Sequence, residues 1–152
     1  MIVQALMLFL HVASVVVWVG GMFFAYVCLR PTVVELLEPP QRLRLWGGVF
    51  SRFFIWVWWA VTLIATSGLI MFGVHDMAAV PVSWHMMLTS GAVMIGIFIY
   101  VVTGPFAALK RAVEAGNWNA GGIALNRIRQ MVGINLILGF ATIALATLGR
   151  YL

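Results

Sequence analysis

The 152 residues are 64% hydrophobic and 9% charged, with a net charge of +5. That composition excludes an ordinary soluble domain, and the basic residues follow a membrane topology instead of forming a nucleic-acid surface. The single cysteine, Cys28, excludes an internal disulfide and argues against a thiolate metal cluster.

The apolar runs predict an all-α integral membrane protein, a four-transmembrane-helix bundle forming one membrane domain over residues 1–152. The spans fall at about 2–29, 53–73, 82–106 and 131–148. The first run has no basic n-region and is too long for a signal peptide, so it reads as a retained helix. His11 is its one side chain that is not apolar or uncharged at neutral pH. At ~1.5 Å of rise per residue, His11 lies ~14 Å into a helix that must cross ~30 Å of hydrocarbon. An ionisable group at that depth marks a functional site by default. Met7, His11, Ser14, Trp18 and Met22 share one stripe of this helix. The Gly20-Gly21 pair permits close approach of a second helix.

Arg30 opens a segment in which Pro31 and Pro39-Pro40 are expected to break helix. Val33-Val34 and Leu36-Leu37 suggest a short interfacial piece there. The second span opens on Phe53, Phe54, Trp56, Trp58 and Trp59, read as an interfacial belt or as the lining of a cofactor pocket. The following loop, Val74 to Val80, holds His75, Asp76 and Met77. Pro81 suits the first turn of the third span. That span carries His85 beside Trp84, Met86 and Met87, and His85, Thr89, Ala92, Gly96 and Thr103 share a small, polar face. A basic stretch with Lys110, Arg111, Arg127 and Arg129, interrupted by Gly116-Asn117 and Gly121-Gly122, leads to the fourth span with Asn135 and Gly139. Four Lys/Arg lie in the first connection, four in the third and none in the second. The positive-inside rule then predicts an inner-membrane, multi-pass protein with both termini on the outer, periplasmic side. His11 and His85 would share the outer half of the bilayer.

Two chemistries fit a histidine pair at that depth. One is haem b, held by His11 and His85, with Trp18, Ala92 and Gly96 around the ring and His75 as an alternative ligand. The other is copper, for which imidazole and thioether ligands are suited, with Met77 and Met86 added to the histidines. His11 also has a purely structural reading, in which it hydrogen-bonds a carbonyl or hydroxyl of a neighbouring helix. No carboxylate lies in a predicted span and no phosphate loop is present, so hydrolase and kinase chemistry is excluded.

The pattern His11-x6-Trp18-x-Gly20-Gly21, and the run from Arg127 to Gly139, resemble CopD-like (copper resistance D) membrane proteins. From that resemblance His11 carries over as a site residue, with Trp18 and Gly21 as its packing context. A related group, the HemJ-type protoporphyrinogen oxidases, is similar in length and has a histidine in the first span. It implies haem b and a lysine near the start of the third span. Here that place reads Trp84-His85-Met86-Met87-Leu88, a departure that argues against porphyrinogen oxidation. The combined expectation is a haem b protein for electron transfer or another membrane oxidoreductase role. Its partners would be the lipid bilayer and a quinone or periplasmic redox carrier, with no nucleic acid. A homodimer is permitted by the glycine-rich helices. The rival expectations are copper transport or resistance and, third, a HemJ-like protoporphyrinogen oxidase.

Overall fold

The computed structural model describes residues 1–73 and 81–149. These residues form four helices long and apolar enough to cross a membrane, and no strand occurs among them: α1 (Ile2–Leu36), α2 (Pro39–Gly73), α3 (Val82–Glu114) and α4 (Trp118–Leu148). All-helical structure is what hydrocarbon demands, because only a helix or a closed barrel satisfies its own backbone. The Val74–Val80 segment, with His75, Asp76 and Met77, lies outside the described residues, as does Arg150.

The helices run past the predicted spans. At 35 residues, α1 and α2 are each ~52 Å long, well over the ~30 Å of hydrocarbon. The segment expected to be an irregular first loop continues α1, and Pro31 does not break it. A π-helical stretch, Phe24–Leu29, lies immediately upstream. A second one, Val102–Phe106, contains Pro105 within α3. A proline has no N–H to give the preceding turn, and its ring crowds the carbonyl four residues back. A wider turn relieves that crowding, and both prolines are passed in this way. Pro39 and Pro40 fall in the first turn of α2, where the missing N–H is not needed. Pro81 is the residue just before α3.

The turns are correspondingly short. Leu37, in extended conformation, ends α1. The Arg42 guanidinium reaches back from α2 to donate to the carbonyls of Leu37 at 3.0 Å and Val34 at 3.3 Å. A cation thus satisfies carbonyls that the helix end leaves open. Between α3 and α4, Gly116 takes a left-handed φ of +66°, and Asn117 caps α4 by accepting from the Ala120 N–H at 3.0 Å.

α1 packs along α2, and α3 along α4, while α4 also touches α1 and α2. Two polar contacts fix the α3–α4 pairing. Asn135 donates to the Met94 carbonyl at 3.1 Å, and the Ser90 and Thr142 hydroxyls meet at 2.8 Å. The core is aromatic at its centre: Trp46, Phe50 and Phe54 stack in series at 4.9 and 5.3 Å, with Phe106 and Phe98 edge-on to Phe54 at 5.0 and 5.6 Å. The aromatic cluster opening the predicted second span therefore divides. Phe54 is core, Trp58 sits on Phe98, and Trp56 and Trp59 face outward, as interfacial residues do.

The two adjacent glycines of α1 differ in role. A Cβ on Gly21 would run into the Phe53 ring, 2.5 Å from Cζ, whereas one on Gly20 would meet nothing within 4 Å. Gly21→Ala is expected to destabilise the bundle by about 1–3 kcal/mol through overpacking, and Gly20→Ala to stay within about 1 kcal/mol of wild type. Reversible unfolding in mixed micelles separates the two, and equal effects would remove the close α1–α2 approach as a constraint.

Candidate functional site

The predicted stripe on α1 turns inward. Ser14, Trp18 and Met22 are buried, and Met7 and His11 are half-buried. Trp18 packs edge-on against Phe98 of α3, with ring centres 6.1 Å apart. Gly21 lies against Phe53.

His11 faces α2. Its Nδ1 is 3.0 Å from the Ser67 Oγ, and a Cβ on Gly68 would lie 3.5 Å from its Cε1. Ser67 is almost fully buried, at 1% exposure. The serine hydroxyl also reaches back along α2 to the carbonyls of Leu63 and Ile64. With the hydroxyl proton directed to those carbonyls, Ser67 Oγ accepts from His11 and the imidazole carries its proton on Nδ1; with it directed to the ring, the other tautomer results. On the Nδ1–H tautomer Nε2 keeps its lone pair, and the ring also has a backbone hydrogen bond with Ile64. A hydrogen bond on one ring nitrogen orients the imidazole and leaves the other nitrogen to face away from Ser67. It also places the expected hydroxyl contact from a neighbouring helix within a ligand-ready geometry, so the structural and ligand readings of His11 are compatible.

The antiparallel register that sets His11 beside Ser67 and Gly68 sets Met7, one turn away, level with Met71, one turn on from Ser67. Met71 was not legible as a site residue, because its relevance appears only once the α1–α2 register is known. His85 also comes against α2, edge-on to Phe72 at 5.7 Å between ring centres. His11 and His85 thus address the same helix about one turn apart, His85 nearer the end where the chain starts. Their environments differ. His85, Met86, Ala92 and Gly96 are exposed, on the outside of the bundle, and no Cβ clash surrounds Gly96. The small, polar face expected to border a flat cofactor inside the bundle points away from it. The face that α3 turns inward carries Met94, Phe98 and Val101 instead. No group of three or more His, Cys, Asp and Glu gathers among the described residues. His75 and Met77, the other candidate ligands, lie outside the described residues.

Below His11 the interior closes. A cavity of about 30 Å³, one water's worth of space, remains among Trp18, Phe54, Phe98 and Asn135. The buried Asn135 Oδ1 has no hydrogen-bond partner.

The family model for copper resistance protein D matches residues 47–148, about two thirds of the chain. The chain belongs to that family. The match begins after α1, so it covers Ser67 and His85 but not His11. No curated protein and no solved structure matches the chain.

The hydrogen-bond network makes a spectroscopic prediction. In 15N NMR of imidazole-labelled protein, His11 is expected as a single neutral Nδ1–H tautomer, and Ser67→Ala is expected to return it towards a mixture. A dominant Nε2–H form in the wild type would refute the assignment.

Proposed function

We propose that this copper resistance protein D family member is a copper-handling protein of the inner membrane, taking a copper ion as cargo on His11. The observation that carries the reading is the His11–Ser67 contact, which on the Nδ1–H tautomer leaves His11 Nε2 as a neutral lone-pair donor inside the membrane. A neutral imidazole brings no charge into hydrocarbon. Thioethers suit Cu(I); Met7 lies one turn from His11 on α1, and Met71 one turn from Ser67 on α2. A sparse donor set suits an ion that must leave again. A resident structural metal would instead call for a closed shell of ligands. The closed aromatic centre below Trp18 supports loading at one end over an open ion passage.

The charge distribution supports the orientation. Eight of the nine Lys/Arg lie on or near the end opposite His11, and the positive-inside rule turns that end to the cytoplasm. Both termini and the His11 end then face the periplasm.

The rival reading is haem b between His11 and His85, with a quinone or periplasmic redox carrier as partner. The family match does not support it, and the exposed placement of His85, Ala92 and Gly96 gives a macrocycle no interior slot. A HemJ-type oxidase has no support in the match either.

One preparation tests both. Purified protein loaded with Cu(I) under reducing conditions is expected to hold copper, and His11→Ala to weaken that binding by about a hundredfold or more, beyond the loss typical of a second-shell change. His85→Ala is expected to have a smaller effect. Copper retention unchanged in His11→Ala sinks the proposal, and a Soret band on the purified wild type would return the argument to haem.

A further inference from the structure

At the end opposite His11, a cavity of about 290 Å³ opens between α1, α2 and α4. Each helix brings one arginine to its wall, Arg30, Arg42 and Arg129, and no carboxylate lines it. Tyr26, Trp46 and Trp118 supply an aromatic side, with Arg30 lying over the Tyr26 ring at 5.5 Å. Arg42 is held in place by its bonds to the Val34 and Leu37 carbonyls, yet its Nε is buried without a partner.

Three like charges converging on one cavity repel each other, and a buried N–H without an acceptor carries a desolvation penalty. A single anion offsets both. Guanidinium forks match the oxygens of a phosphate. Tyrosine and tryptophan favour the boundary between membrane and water, and α1 reaches this cavity about where it leaves hydrocarbon.

We propose that this cavity binds the phosphate group of an anionic amphiphile, with the apolar part of the ligand against the aromatic side. The site is separate from His11 and does not depend on copper. The same phosphate chemistry can come from a membrane lipid or from a soluble phosphate compound.

Native mass spectrometry and thermal unfolding of the full chain in detergent distinguish these sources. The probes are phosphatidylglycerol, phosphatidylcholine and inorganic phosphate. Phosphatidylglycerol is expected to be retained and to raise Tm, and phosphatidylcholine to do neither. Arg30→Gln with Arg129→Gln is expected to reduce retention on the order of tenfold or more. Arg111→Gln with Arg127→Gln, which removes the same charge from exposed positions outside the cavity, is expected to retain the lipid. If the first double variant does not fold, Arg129→Gln alone is expected to show a smaller loss of the same kind. Inorganic phosphate giving the full Tm shift and displacing the lipid would support the phosphate site with a soluble ligand. Equal retention of the two lipids, or equal losses in the two double variants, overturns the proposal.

Discussion

A polar side chain inside hydrocarbon must find its partner within the protein, and the contacts that result set how these helices meet. His11 with Ser67 joins α1 to α2, while Asn135 with Met94 and Ser90 with Thr142 join α3 to α4. Each contact is worth on the order of 1 kcal/mol, so none holds the bundle by itself. Their value is in register. Apolar surfaces slide past one another in lipid at little cost, whereas a hydrogen bond fixes the alignment. Gly21 against Phe53, and Gly139 with Val19 3.0 Å from where its Cβ would be, then let the aligned backbones close.

The register separates two kinds of chemistry along the bundle. One end has neutral, soft side chains: the His11 imidazole against Ser67, with Met7 and Met71 one turn along their own helices. The other end gathers guanidinium groups around an aromatic-sided cavity. Stacked Trp46, Phe50 and Phe54, with Phe98 and Phe106 across them, fill the space between. A cation bound near His11, as proposed, would be kept from the arginine end both by packing and by charge. Movement of an ion through the bundle would require this aromatic wall to open.

Much of this was legible in the residues. The four apolar runs give four long helices, and the residues from Met7 to Met22 share one side of α1 as their spacing predicts; that side turns inward, where a histidine and a serine are best placed away from lipid. The face of α3 through His85, Ala92 and Gly96 misleads for a physical reason. Thr89 and Thr103 satisfy their hydroxyls on the carbonyls one turn back, at 2.9 and 2.8 Å. They need no interior partner and can face outward, leaving the bulky Met94 and Phe98 to fill the core. Proline misleads in the same way when a π-helical turn absorbs it, which is why the predicted loops shorten to tight turns. Ser67 and Met71 are ordinary residues in the sequence of α2, and only the helix register makes them neighbours of His11.

The choice of serine as the partner of His11 bears on what kind of ligand the histidine is. A carboxylate in that place would raise the basicity of the imidazole and strengthen its bond to a metal, but would bury a charge in the membrane. Serine orients the ring without adding charge. A donor atom held in this way would be fixed in direction and modest in strength. A resident cofactor gains from the stronger arrangement, since it never has to leave. An ion that is taken up and passed on gains from the weaker one, because each bond made on arrival must be broken on departure. The His11–Ser67 pair accordingly fits copper as cargo better than a permanently bound metal.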